Sequence, residues 1–335
     1  MLINILDKHK NEITNKRGFA PMKRLRPIAM AAVMAFCLIT TTAFAAAHLG
    51  LDIKFLNFLN PSSDEQAEYL ASGAYVVEKQ VKNKNGILEI KQVIGDSNLT
   101  YISMDFIAPE GVVLNAERYR FDCNVDVNSY SGPYGIGFTK LEDENPNDNK
   151  ISIIMALHTE KSLIGGDIKL KLRELEAAGP LPKTFEEAAT VDPKAQVFKT
   201  VVKGSWDTSF KLNFKDYSRT YEPNSKLMLY GYEATLQSIA VSPISITIKF
   251  SSPFTREIHE ASPFEQIEYD TYLDEFPVTI NYKDGSKETT RYSSGMMVGD
   301  YLSNTTVSIK IFDKLINDKE IESIEFFNVV IPIDN

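Results

Sequence analysis

From about residue 75 almost to the C-terminus, apolar and polar residues alternate with a period of two, and no other feature limits the possible folds as much. Tyr119, Phe121, Cys123 and Val125 alternate with Arg120, Asp122 and Asn124, and Ile168, Leu170 and Leu172 alternate with Lys169, Lys171 and Arg173. The pattern returns at Phe210, Leu212 and Phe214, at Ile246, Ile248 and Phe250, at Val278, Ile280 and Tyr282, and at Val307, Ile309 and Ile311. Successive side chains of a strand point to opposite faces, so each run reads as a strand with one face buried. Asn85-Gly86, between strand candidates at 75–82 and 87–94, and Asp284-Gly285, after the candidate ending near Tyr282, are pairs that favour tight hairpins. Helical pattern is confined to Asp64–Leu70, with Ser62 or Ser63 as its cap and Glu65 in its first turn, and to a short piece near Phe185–Ala189. The expected architecture is mainly β, in antiparallel sheets with one face wet.

A weak internal repeat organises these strands. Gln92 to Pro109, from Gln-Val-Ile-Gly-Asp-Ser to Met-Asp-Phe-Ile-Ala-Pro, aligns with Gln237 to Pro253, which ends Ile-Lys-Phe-Ser-Ser-Pro, with one gap. Each copy lies near the start of about a hundred residues of strand pattern, which reads as two related sandwiches. The stretch Gly179–Lys194, carrying Pro180, Pro182 and Pro193, is the expected connection between them.

Ahead of the strands, Ile28 to Ala47 is a run of twenty uncharged residues, as a helix long enough for the roughly 30 Å hydrocarbon core of a bilayer. Lys23, Arg24 and Arg26 precede it, and the next positive residue is Lys54, so the N-terminus is expected in the cytoplasm and the body outside. Two readings stay open: a transmembrane helix, or a signal peptide started at Met22 and cleaved near Ala45 in Ala43-Phe44-Ala45. Cys37 lies mid-segment, where it reads as a small membrane-facing hydrophobe. In the basic tail, Leu2, Ile5, Leu6 and Ile13 fall on one side of a short helix able to lie on the inner leaflet or dock on a cytoplasmic protein.

Charge and cysteine narrow the function classes. The net charge is −9 over 335 residues, and residues 1–26 carry +5 of it, which leaves −14 on the remainder. An acidic body repels nucleic-acid phosphates, so no nucleic-acid partner is expected. The only other cysteine is Cys123, so the body has no disulfide framework.

Candidate chemistry is thin. His9, His48, His158 and His259 are scattered, and His259-Glu260 lacks the second histidine of a zinc-protease helix. Gly132, Gly135 and Gly137 have no strand-to-helix context for a phosphate and read as a loop. Glu142 to Asn149 is rich in oxygen ligands but lacks the spacing and turn glycine of a calcium loop. The pair Glu186-Glu187 places no second carboxylate across a cleft. Trp206, the single tryptophan, reads as a core anchor between sheets. No catalytic residue, cofactor-binding residue or metal ligand is expected, and the chain is not expected to be an enzyme.

The basic tail, the apolar segment ending Thr-Ala-Phe-Ala, the Asn-Gly hairpin, Ile87-Leu-Glu-Ile-Lys-Gln-Val-Ile-Gly-Asp-Ser97 and Leu99-Thr-Tyr-Ile-Ser-Met-Asp-Phe106 together resemble domain-of-unknown-function family 4179. Gly204-Ser205-Trp206, Ser242-Pro243-Ile244 and Ile321-Glu322-Ser323-Ile324 resemble the Ig-like module that accompanies it. The resemblance implies a bacterial, mostly Gram-positive, single-pass membrane protein with tandem Ig-like sandwiches in an anti-sigma-factor-like envelope signalling system. The tail of about 27 residues departs from the family, being too short for a separately folded sigma-binding domain.

The expected organisation is a cytoplasmic tail at 1–27, a transmembrane or signal segment at 28–47, a juxtamembrane linker or helix at 48–74, and sandwiches at 75–215 and 216–335. The expected partners are the membrane through 28–47, a cytoplasmic sigma factor or other regulator through the tail, and an unidentified extracellular ligand. The expected activity is sensing or regulation by protein contact, with a structural or adhesive cell-envelope binding module as the alternative.

Overall fold

The computed structural model describes residues 50 to 333, except 129, 264–265, 269–270, 292–295, 301–303 and 313. The basic tail, the segment 28–47, Cys37, His9 and His48 lie outside the described residues. Among the described residues no helix is long and apolar enough to cross a membrane.

Two short helices come first, α1 (Ile53–Leu59) and α2 (Asp64–Gly73). The Asp52 side chain accepts the N–H groups of Lys54 and Phe55 to start α1, and Asn60, at φ 49°, ends it in the left-handed conformation before Pro61. Ser63 rather than Ser62 caps α2 by accepting the N–H of Gln66, with Asp64 and Glu65 at the favourable end of the helix dipole. Helices this short do not persist alone. Burying Phe55, Leu56, Leu59 and Leu70 is worth on the order of 8 kcal/mol, so docking forms them.

The first sandwich contains β1 (Tyr75–Asn83), β2 (Gly86–Gly95), β3 (Leu99–Ile107), β4 (Arg118–Val127), β5 (Tyr134–Lys140), β6 (Lys150–Thr159), β7 (Asp167–Ala178), the exposed helix α3 (Phe185–Thr190) and β8 (Lys199–Lys211). One sheet runs β1-β2-β3-β6-β5 and the other β4-β7-β8, all antiparallel. The β1–β2 turn is Lys84-Asn85, one residue earlier than the expected Asn85-Gly86, and Gly86, at φ +134°, opens β2 opposite Asn83. The core between the sheets is centred on Trp206, edge-on to Phe106 at 4.8 Å and to Phe121 at 5.9 Å, with its indole N–H donating to the Gly86 carbonyl at 3.3 Å. A Cβ at Gly204 would lie 2.5 Å from the indole, so glycine there makes room for the ring.

Gly179–Lys194 does not connect the sandwiches. It leads from β7 to β8, which return side by side from Asp167↔Lys211 to Ala177↔Lys199. The prolines break the alternation inside one sheet, and a break in pattern is the same in sequence whether the next strand joins the old sheet or a new one. The chain passes to the second sandwich after Phe214, whose side chain, like that of Leu212, still belongs to the first core.

The second sandwich contains β9 (Arg219–Tyr221), β10 (Ser225–Leu229), β11 (Tyr232–Val241), β12 (Ile246–Ser251), α4 (Thr255–Ala261), β13 (Gln266–Glu268), β14 (Thr271–Tyr272), β15 (Val278–Tyr282), β16 (Lys287–Thr289), β17 (Met296–Asp300), β18 (Thr305–Lys310), β19 (Ile321–Phe326) and β20 (Val329–Pro332). One sheet runs β10-β11-β12-β18-β17, with β9 also on β11, and the other runs β16-β15-β19-β20. Taken in chain order, this repeats the strand order of the first sandwich, with β9, β13, β14 and β16 added. β11 and β12 stand where β2 and β3 stand, β18 and β17 where β6 and β5 stand, and β15, β19 and β20 where β4, β7 and β8 stand. The repeated sequence is therefore the hairpin β2–β3 and its counterpart β11–β12. A second core, with Phe250, Phe276 and Phe326 among its members, fills the space between these sheets.

Replacing Trp206 with alanine is expected to lower stability by about 3–5 kcal/mol in urea unfolding followed by circular dichroism. Gly204→Val is expected to cost about 1–3 kcal/mol, followed by the fluorescence of the retained tryptophan. Wild-type midpoints in both variants would contradict this account of the first core.

Candidate functional site

The described residues belong to one compact unit, Thr41–Asn335, and inside it the tips of the two repeated hairpins meet. The β2–β3 tip is Asp96-Ser97-Asn98, and the β11–β12 tip is Ser242-Pro243-Ile244-Ser245. Asp96 is 3% exposed. Its Oδ1 accepts the backbone N–H groups of Asn98 and Leu99 at 2.9 and 2.8 Å, which shapes its own turn. Its Oδ2 accepts the hydroxyls of Ser242 and Ser245, both at 2.6 Å, from the other sandwich. Burial raises the carboxyl above its ordinary range, and the hydrogen bonds from Ser242, Ser245 and the two amides oppose that shift.

Around this contact the chain adds further ties. Ser97 donates to the Asp216 carboxylate at 2.7 Å, and Asp216 also accepts the N–H of Ser218 at 2.7 Å in the crossing segment. In that segment Tyr217 stacks on Tyr69 of α2 at 3.8 Å and shares a hydrogen bond with Ser72 at 2.7 Å, while the N–H of Lys215 donates to the Gly73 carbonyl at 2.9 Å. A Cβ at Gly73 would lie 2.8 Å from the Tyr217 ring, so a glycine permits the close approach.

Helices α1 and α2 complete the junction. Phe55, Leu56, Leu59, Ala67 and Leu70 share one apolar cluster with Ile94, Leu99, Tyr101 and Ile154 of the first sandwich and with Ile244 and Leu315 of the second. This cover explains why β3 and β6 are buried on both faces, since Ile102, Met104 and Phe106 point to the sandwich core while Leu99 and Tyr101 point to the helices. From α2, Gln66 reaches the Leu315 carbonyl at 3.4 Å and Glu65 pairs with Lys319. At the start of α1, Asp52 pairs with Lys91, beside the Asp105 carboxylate held by Lys150 at 2.8 Å and Ser152 at 2.7 Å. The two basic partners and Ser152 hold the Asp105 carboxyl below its ordinary range against the opposing effect of burial. An open cleft of about 740 Å³ lies between this corner and the β1–β2 edge, lined in part by Ile53, Val76, Gln80 and Gln92.

The other candidate residues are placed apart. His158 lies in β6 and His259 in α4, in different sandwiches, and burial lowers the His158 imidazole below its ordinary range. Gly135 and Gly137 are in β5, and Gly132 precedes it over the Tyr130 ring, where a Cβ would approach Tyr130 Oη to 2.7 Å. Asp143 and Asp148 accept the N–H groups of Asn145 and Lys150 in the β5–β6 loop. Glu186 and Glu187 are in α3, where Glu187 accepts the N–H of Lys183 at 2.7 Å. Burial pushes the Cys123 thiol up to about 11. Among the described residues no three His, Cys, Asp or Glu side chains converge as a metal-ligand set.

No family model and no curated protein matches the chain. Among solved structures, the crystal structure of the conserved domain protein from Bacillus anthracis is similar over 75% of this chain and 75% of that chain, with a TM-score of 0.49 and 11% identity. A likeness this distant carries no argument about what the chain does.

Because the folded state raises the Asp96 pKa, its contribution to stability is greatest below the ordinary carboxylate value of about 3.9 and declines as pH rises through the raised value. Asp96→Asn is expected to remove that share of the pH slope in urea unfolding between about pH 4 and pH 8. Asp96→Ala strands two hydroxyls and two amides and is expected to cost about 2–4 kcal/mol. A slope identical in wild type and Asp96→Asn would contradict the assignment.

Proposed function

We propose that this protein is a membrane-anchored extracytoplasmic sensor or regulator that works by protein contact without catalysis, with residues 28–47 as its anchor. The observation that carries the reading is the placement of α1 and α2. They directly follow the apolar segment in sequence and form the shared wall between both sandwiches. A partner or ligand that shifts one sandwich against the other must disturb the packing of Phe55, Leu59 and Leu70, and so the segment that leads back towards the anchor.

The strand orders favour a contact module. β2-β3-β6-β5 facing β4-β7-β8 is the order of the constant-type immunoglobulin sandwich with β1 added at its edge, and the second sandwich repeats it. Such folds present edges and loops to partners, and function rests on those surfaces rather than on the fold. In this reading the basic tail at 1–27 meets a cytoplasmic sigma factor or another regulator, consistent with the resemblance to family 4179, and the extracellular ligand acts on the sandwiches.

Cells expressing the full chain with a C-terminal tag test the topology by fractionation, protease treatment from outside and mass spectrometry of the N-terminus. An intact, membrane-bound chain with a protease-accessible body is expected. A mature N-terminus at Ala46 in the soluble or wall fraction overturns the anchored reading in favour of a secreted envelope-binding module. Deleting residues 2–21 is expected to abolish the transcriptional effect of the protein while leaving the body folded, and an unchanged effect counts against a role for the tail.

A further inference from the structure

The inner face of the second sandwich carries a polar row that its role as a core does not require. In the β12–β18 pair, Ile246, Ile248 and Phe250 lie opposite Lys310, Ser308 and Thr306. Directly paired residues share a face of the sheet, so these three polar residues point with the apolar ones into the core. All are buried, Lys310 at 4% exposure.

The Lys310 Nζ donates to Oδ1 of Asp274, which is itself 6% exposed and lies four residues before β15 in the opposite sheet. Asp274 is held firmly. Its Oδ1 also accepts the N–H of Phe276 at 3.0 Å, and its Oδ2 accepts the Thr290 hydroxyl at 2.5 Å. Thr290 is fixed in turn by the N–H of Val278 at 2.8 Å. Phe276, packed on Phe250 at 5.0 Å, lies two residues from Asp274 in the same core.

An ion pair at this depth is a costly device. Both charges lose their water, and the attraction between them repays that loss only when the remaining donors are also satisfied. An ammonium has three N–H donors, and among the described residues Lys310 donates to Asp274. An amide in the same place carries no charge and a single N–H.

We propose that Lys310 and Asp274 condense into an intramolecular isopeptide bond that joins the two sheets of the second sandwich. The starting pair is an ammonium and a carboxylate. One proton passes from Nζ to Oδ1 along their hydrogen bond, leaving a neutral amine beside a carboxylic acid. Burial assists this by lowering the proton affinity of Lys310, opposed by the charges of Asp274 and Glu275. The Nζ lone pair then attacks Asp274 Cγ, and the negative charge develops on Oδ2, where the Thr290 hydroxyl already donates. The Oδ1 hydroxyl leaves with a second Nζ proton as water. One C–N bond forms and one C–O bond breaks, the pair loses one water, and no oxidant, reductant or external group is needed. The fixed contact supplies the proximity that makes an otherwise slow condensation unimolecular.

The test is peptide mass spectrometry on the full-length protein, purified in the folded state, then denatured and digested. The expected result is one branched species joining the Lys310 and Asp274 peptides, lighter by about 18 Da than their sum, the mass of one water. Lys310→Met is expected to abolish the branched species and lower the unfolding temperature. Thr290→Val keeps both reacting residues and is expected to slow formation of the cross-link at least about tenfold after refolding, since it removes the donor to the developing oxyanion. Separate Lys310 and Asp274 peptides at full mass, after prolonged incubation of folded wild-type protein, would overturn the proposal. So would equal cross-linking rates in wild type and Thr290→Val, because the Thr290 hydroxyl is the oxyanion donor of the step proposed.

Discussion

A carboxylate taken out of water must receive hydrogen bonds from the protein, and Asp96 receives four. Two come from its own turn and two from hydroxyls of the other sandwich, so neither sandwich alone completes its environment. An unmet share of that demand costs more than a typical hydrogen bond contributes, and this asymmetry makes the contact specific. An apolar contact of the same size would tolerate sliding. This one holds Ser242 and Ser245 at 2.6 Å from a single oxygen.

The arrangement follows from duplication of one strand order. Each sandwich offers the same hairpin at the same end, β2–β3 in one and β11–β12 in the other, and the two tips face each other with different chemistry, a carboxylate against two hydroxyls. The remaining apolar surface of the junction, on Ile94, Leu99, Tyr101 and Ile244, is too extensive to face water and is covered by α1 and α2. The polar contact sets the register of the junction, and the helices seal it. The helices thus tie the N-terminal end of the described chain to both sandwiches at once.

Much of the strand framework is legible in the sequence because half-buried strands write their burial into alternation. The runs at 119–125, 168–172 and 246–250 lie in β4, β7 and β12, Asp284-Gly285 lies in a turn, and the first hairpin turns at Lys84-Asn85, one residue before the expected pair. Trp206 is readable as a core anchor for a similar reason, a large ring beside a glycine. Helix α1 is not readable, because Ile-Lys-Phe-Leu-Asn-Phe-Leu is short and its apolar residues fit strand and helix alike. The sheet shared by β7 and β8 is hidden by the prolines between them. Asp96, Ser242 and Ser245 sit in the motifs Gly-Asp-Ser and Ser-Pro-Ile-Ser, which mark turns, and a turn looks the same in sequence whether its side chains meet water or another turn. Lys310 and Asp274 are equally silent, being ordinary charged residues 36 positions apart.

The claim on which the rest depends is that the junction is a stable contact, and amide hydrogen exchange resolved at Asn98 and Leu99 tests it most directly. These two N–H groups donate to Asp96 inside a hairpin tip that would exchange rapidly if the sandwiches moved independently. The account predicts protection close to that of the β3 and β6 core amides, lost when Ser242 and Ser245 are both changed to alanine. Rapid exchange at both positions in the wild-type protein, with β3 still protected, would contradict it.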